Sequence, residues 1–423
     1  MNFKLCAVAV AAFLGCAHPA LGADGEVAVR VDLDIEHPLF NRPLVTVSIC
    51  PQPPAAGGKG CVEVPDVLLD TGSSGVLLRR SALKELDGLK PDDAYPYAHC
   101  SRFSESTPFG VVIQAWVGLG ERYTVAPIAI GLVGGDGMAP PAGCRPHGDP
   151  NPDHDHDHDH DNLTGLPAGI NGILGVGPSP RDCSIYPDGL CPTADDKASY
   201  YRRVSHYGEG LQWTGTRVPP EFELSNPVTA LPAEFNDGVV LRFDAPDSAA
   251  QQAGVASGTL FLGVERWRDK LFGERAPRVP LLKASWLRAG IMREPGKLDP
   301  AYIGLDTGCC EIYAPRAYKP LPAHAGSGWI QQMPMFCIAS ADKREFKYGP
   351  FMIDVIDSQS TTFELRQVHR CVASFTDKSL FLLGMPFFYG RTIAFGLAED
   401  PRAVSGRDPD GGYLMIAPAP PGA

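Results

Sequence analysis

"VLLDTGSSGVLL" at residues 67–78 and "IGLDTGCC" at residues 303–310 decide how this chain is read. Each is an apolar run that ends in Asp-Thr-Gly. Such a run predicts a buried strand, and the strand holds the aspartate rigidly at its end. Gly72 and Gly308 permit a tight turn and a close backbone approach. The similarity between the halves goes further. "GILGVG" at 172–177 follows the first loop, and "FLLGMP" at 381–386 follows the second. Two lobes with one aspartate each are the simplest organisation consistent with this weak repeat, with a boundary near residue 225.

The remaining pattern predicts a mostly β chain. Residues 26–50 alternate apolar and polar around "HPLFNRP", and residues 111–130 read as strand, turn, strand. Later strand candidates include "GVVLRFDAP", "GTLFLGVERW", "AYIGLD", "EFKYGPFMIDVI", "TFELRQV", "GRTIAFGL" and "GYLMIAP". Long amphipathic helices are scarce, and residues 192–226 read as polar and irregular with room for a short helix. The 46 glycines and 41 prolines in 423 residues suit many short strands and turns. The formal net charge is −12 and no basic patch stands out, which argues against nucleic acid or an anionic membrane surface as a partner.

The first 22 residues have the form of a signal peptide. Lys4 precedes an apolar run to about Gly15, and Ala20-Leu21-Gly22 supplies small residues for cleavage. The run is too short for a transmembrane helix, and no later stretch qualifies. The expectation is a secreted or periplasmic protein, with lipoprotein anchoring at Cys16 as a second reading. Cysteine usage agrees. Of 12 cysteines, Cys6 and Cys16 fall in the signal segment, leaving ten. An even number in an exported chain predicts disulfides. Short loops make Cys50–Cys61 and Cys183–Cys191 the easiest closures, and Cys100 and Cys144 are further candidates. Cys309 and Cys310 are compatible with a vicinal disulfide, with other partners, or with thiols.

Two aspartates suggest a specific chemistry. Carboxyl groups brought close together share a proton, because both cannot ionise cheaply. The charged member can act as general base on a water, and the protonated member can stabilise a developing oxyanion. That is peptide hydrolysis with no covalent intermediate, no metal and no cofactor. Thr71 and Thr307 are placed to hydrogen-bond across the pair.

The paired loops, their partner segments and the C-terminal "SLFLLGMPFFYGRTIAFGL" and "GGYLMIAPAP" together resemble the pepsin-like aspartic proteases. The "DTGSSG", "NGILGVG" and "FFYGRT" stretches are also similar to an exported bacterial family of unknown function. The resemblance spans about residues 60–420. It implies a bilobal double-β-barrel with a cleft between lobes 23–225 and 226–423, Asp70 and Asp306 as the catalytic dyad, and Ser73 bonded to the outer oxygen of Asp70. It further implies a substrate-covering flap over "FSESTPFG" at 103–110, including Phe103 and Phe109, and a second-lobe disulfide between Cys337 and Cys371. The substrate would be extended polypeptide added as a strand in the cleft, and the protein a monomer.

Several residues depart from that pattern. Phe103 stands where a flap tyrosine is usual, Gly75 where asparagine is common, and Cys309 where a hydroxyl residue follows the second DTG. Only 47 residues separate Ala23 from Asp70, too few for a typical inhibitory propeptide. These departures support an alternative function, a non-catalytic protein of the same fold that binds peptide or metal ions. The low-complexity "DHDHDHDHD" at 153–161 is the metal candidate, although its composition favours a solvated insertion over a built site.

Overall fold

Strand-rich local patterning and two interrupted apolar repeats produce a mostly β architecture. The structure, a computed structural model, describes residues 24–34, 37–54, 60–90, 94–103, 106–135, 139–144, 165–186, 188–206, 209–273, 276–282, 285–294, 297–310, 312–313, 335–339, 346–351, 380–400, 402 and 411–417. The signal segment 1–22, the His/Asp insertion at 153–161 and Cys371 lie outside the described residues. Cys337 falls on the strand Met335–Ala339.

In the first half, six strands close into a ring. Their order is Pro43–Cys50, Phe109–Leu119, Ile128–Val133, Ser74–Arg79, Gly172–Val176 and Val62–Asp70, and the last pairs with the first. Inward residues such as Val47, Val67, Leu69, Val76, Leu78, Val117, Ile130 and Leu174 are essentially inaccessible. Burying each such side chain is worth about 1.5–3 kcal/mol, so this lining holds the ring together. The strand Glu26–Asp32 leaves the ring and pairs along its whole length with Val255–Leu262. The sheet then continues through Gly238–Phe243, Thr392–Gly396 and Tyr413–Ile416, so the first and second halves share one sheet. A separate six-stranded sheet in the second half carries Lys297–Leu305 and, among the described residues, runs open.

The internal repeat becomes a matched register. The strand ending at Asp70 pairs in parallel with Gly172–Val176, placing Leu69 beside Leu174. Leu174 is flanked on its other side by Val76, the sixth residue after Asp70. In the second half, Leu305 pairs in parallel with Leu383. Leu383 is flanked on its other side by Ile312, the sixth residue after Asp306. Each Asp-Thr-Gly turn therefore arches over an apolar-Gly strand threaded between its two arms. Parallel pairing of this kind needs a long connection, which explains why the partner segments lie so far downstream in sequence.

Two segments differ from the sequence reading. Residues 200–215 form a hairpin, Tyr200–His206 with Glu209–Gly215, that extends the sheet beside Tyr97–Cys100. Tyr200 and Tyr201 are both buried there, so packing overrides an irregular polar pattern. The "GTLFLGVERW" run is a strand only as far as Leu262. Gly263, at φ 81°, then turns the chain into the helix Val264–Leu271. Asp237 caps that helix from 27 residues upstream, accepting the Val264 and Glu265 N–H groups at 2.6 and 3.0 Å.

Among the described residues three disulfides are present, Cys50–Cys61, Cys100–Cys144 and Cys183–Cys191. Their sequence separations are 11, 44 and 8 residues. Loop-closure entropy ranks them, with about 4 kcal/mol expected for the Cys100–Cys144 link and about 3 kcal/mol for Cys50–Cys61. Replacing each pair by serine and measuring urea midpoints on the oxidised protein should show the larger loss for Cys100–Cys144. The reverse order would mean that the unfolded chain is not the main seat of the effect.

Candidate active site

Asp70 is the last residue of its strand, and Asp306 follows directly on Leu305. Their two turns meet through a reciprocal exchange between Thr71 and Thr307, both fully buried. The Thr71 N–H donates to Thr307 Oγ1, and the Thr307 N–H donates to Thr71 Oγ1, each at 3.1 Å. The hydroxyls pass on their own protons, Thr71 to the Leu305 carbonyl at 3.2 Å and Thr307 to the Leu69 carbonyl at 2.7 Å. A hydroxyl suits this position because it accepts and donates at once. Three polar groups on each side, an N–H, a hydroxyl and a carbonyl, are thereby satisfied by one another.

The glycines that follow make the approach possible. A Cβ on Gly72 would lie 2.5 Å from Asp306 Cγ, and one on Gly308 would lie 2.9 Å from Asp70 Oδ1 and 3.0 Å from Asp306 Oδ1. Each glycine thus faces the opposite aspartate, and the two inner carboxylate oxygens flank a single point. Each inner oxygen also accepts from its own turn, Asp70 Oδ1 from the Gly72 N–H at 2.7 Å and Asp306 Oδ1 from the Gly308 N–H at 2.8 Å.

Burial holds the Asp306 carboxyl well above the usual carboxylate range, followed by the charge of Asp70 and a hydrogen bond between the two carboxyls. The Gly308 and Cys309 N–H groups oppose this shift. Asp306 therefore retains its proton at pH values where ordinary aspartates have lost theirs.

The outer oxygens are supported unequally. Ser73 donates to Asp70 Oδ2 at 2.5 Å. The matching position in the second half is Cys309, whose carbonyl accepts from Met385 at 2.8 Å, much as the Ser73 carbonyl accepts from Gly177 at 2.9 Å. Among the described residues neither Cys309 nor Cys310 is in a disulfide.

Asn41 is a site residue that sequence reasoning missed. It sits at φ 55°, a conformation asparagine tolerates, and is 1% exposed. Its Nδ2 donates to the Cys310 carbonyl at 3.0 Å, and its Oδ1 accepts from the Tyr389 hydroxyl at 2.7 Å. A first-half loop thus braces the second aspartate turn. No local pattern marks it, because its partners lie 269 and 348 residues away.

The flap candidates separate. Phe103 lines a pocket beside the Asp70 turn. Phe109 is buried on the strand instead, edge-on to Tyr201 and Trp213 at 5.9 and 5.5 Å. Its role there is to pack the underside of the hairpin, which places it away from that pocket.

Two measurements check this description. In a double-mutant cycle, Thr71→Val and Thr307→Val should each cost about 1–3 kcal/mol, with a coupling energy of about 0.5–3 kcal/mol, because either change leaves the partner's N–H unpaired. Strict additivity in denaturant unfolding would contradict the exchange. Asp306 also links stability to pH. Its folded pKa is raised, so its contribution is complete below the unfolded carboxylate value and is lost as pH rises through the folded value. Asp306→Asn should remove that downward slope.

No curated protein matches the chain. Among solved structures it is similar to the crystal structure of an aspartic proteinase from Irpex lacteus. The identity is 12% and the TM-score 0.48, covering 93% of this chain and 97% of that one. Residues 23–414 match the family described as Protein of unknown function (DUF3443), and the chain belongs to that family.

Proposed function

We propose that this protein is an aspartic endopeptidase that hydrolyses extended polypeptide by a water activated between Asp70 and Asp306. One observation carries the reading. The Thr71–Thr307 exchange draws two strand-borne carboxyls to a common point, with a raised proton affinity on one of them. In the proposed reaction, Asp70 takes a proton from the water as it attacks the peptide carbonyl. Asp306 donates to the carbonyl oxygen as negative charge develops there. The resulting tetrahedral species collapses as Asp70 passes the proton it took from the water to the leaving nitrogen and Asp306 takes back the proton from the former carbonyl oxygen. Residues 23–225 and 226–423 would act as the two lobes, with substrate lying between them.

An exported setting fits this reading. The three disulfides among the described residues suit an oxidising compartment. Among the described residues, no helix is long and apolar enough to cross a membrane.

A second reading, peptide capture without turnover, is favoured by the sulfur of Cys309 at the position corresponding to the Ser73 hydroxyl. The two readings separate on incubating the protein with a denatured polypeptide between pH 3 and pH 7. The first expects cleavage that fades as pH rises through the titration of Asp306. Asp70→Asn and Asp306→Asn should each reduce it by at least about a hundred-fold. Saturable binding with no cleavage in the wild type would favour the second.

A further inference from the structure

A pocket of about 200 Å³ opens beside the first aspartate turn, with Gly72 and Ser73 on its rim. Leu77, Phe103 and Tyr186 contribute apolar walls. Ser101, His99 and Asp182 contribute a polar end. Burying three polar side chains there is costly unless they are paired, and they are paired with one another. His99 Nε2 lies 2.9 Å from Asp182 Oδ2, and Ser101 Oγ lies 3.0 Å from His99 Nδ1. Asp182 Oδ2 also accepts from the Tyr200 hydroxyl at 2.8 Å, and Oδ1 accepts from the Cys183 N–H at 2.8 Å. The Cys183–Cys191 disulfide ties down the loop that presents this carboxylate.

The direction of these bonds determines what the pocket can recognise. A carboxylate only accepts, so the nitrogen facing Asp182 carries the proton. Where Nδ1 carries no proton, it accepts the Ser101 hydroxyl proton. That uses the only donor Ser101 has, and its remaining lone pairs are acceptors, as are those of Asp182. Asp182 keeps 16% of its side chain accessible, against 6% for His99, so the acceptor with most capacity is also the more open. The polar end therefore asks for a donor, at the far end of an apolar, partly aromatic slot. Arg102 also lines the pocket, with its terminal nitrogens on the Ala198 and Gly143 carbonyls at 2.8 and 2.6 Å. A fixed cation there disfavours a second one.

We infer that this pocket is a substrate subsite selecting a phenolic side chain, so that the enzyme prefers tyrosine over phenylalanine at the residue seated beside Asp70. This rests on the peptidase reading for its physiological meaning, although the recognition itself needs no turnover. An aromatic ring fits the walls, and its hydroxyl supplies a further donor for the lone pairs of Ser101 and Asp182 that their present bonds leave over. Phenylalanine would fill the slot without donating to the spare lone pairs of Ser101 and Asp182, so it forgoes a bond that tyrosine makes.

Two arms test the assignment and keep it separate from the question of hydrolysis. In the first, matched peptides differing only as tyrosine, phenylalanine or lysine at one position are cleaved by the wild type, Ser101→Ala and Asp182→Asn. The tyrosine peptide should exceed its phenylalanine partner in kcat/KM by about ten-fold or more, and that ratio should collapse in both variants. In the second, N-acetyl-tyrosinamide and N-acetyl-phenylalaninamide are titrated into the Asp70→Asn protein by NMR. The tyrosine amide should bind more tightly, with shifts at Tyr186 and Phe103. Cleavage without a tyrosine preference overturns the subsite and leaves the peptidase reading standing. Tyrosine-selective binding without any cleavage does the reverse. A preference for lysine, or abolition of turnover on every peptide by Ser101→Ala, also overturns it, since the trio would then serve charge recognition or the chemistry itself.

Discussion

Two carboxyl groups repel unless something holds them together, and here that task falls to Thr71 and Thr307. Their exchange closes four hydrogen bonds among groups that have no access to water. Each threonine anchors to the strand residue that precedes the opposite aspartate, Leu305 for Thr71 and Leu69 for Thr307. A displacement of either half would break bonds in both. The spacing of the carboxyls is therefore set by the fold, and the raised proton affinity of Asp306 follows from that enforced proximity together with burial.

The surrounding framework makes the exchange rigid. Each turn arches over an apolar-Gly strand in the same register, so the two aspartates leave their sheets in equivalent positions. The strand Glu26–Asp32 crosses into the sheet of the second half, and Asn41, a few residues later, braces the second turn. Arg402 grips the buried Glu223 through two bonds of 2.8 and 2.5 Å, tying the C-terminal region to a residue 179 positions upstream. These contacts are long-range, which gives a rigid site at the cost of a high contact order.

Symmetry ends at the outer oxygens. Ser73 offers Asp70 a hydroxyl donor, whereas the second turn carries a thiol-bearing residue at the same place. A thiol is a weaker donor than a hydroxyl. The two turns thus differ in the side chain they place three residues after the aspartate, a hydroxyl after Asp70 and a thiol after Asp306.

Much of this was written locally. The strands ending at Asp70 and Asp306, their glycines and their downstream partner segments are visible because apolar runs and turn residues act over a few positions. The Cys50–Cys61 and Cys183–Cys191 links were equally legible, because short loops close easily. The hairpin at 200–215 was not, because its strands are stabilised by buried tyrosines meeting residues about a hundred positions away. Asn41, His99 and Asp182 were hidden for the same reason. Each is an ordinary polar residue until folding gives it partners, since a hydrogen bond carries no signal in the sequence between its ends. The sequence by itself determined that two strand-borne aspartates exist and what chemistry a pair of them allows. Only the tertiary structure decided how near they stand, how burial and proximity raise the proton affinity of Asp306, and what lines the pocket beside them, because proximity and desolvation are properties of the packed chain.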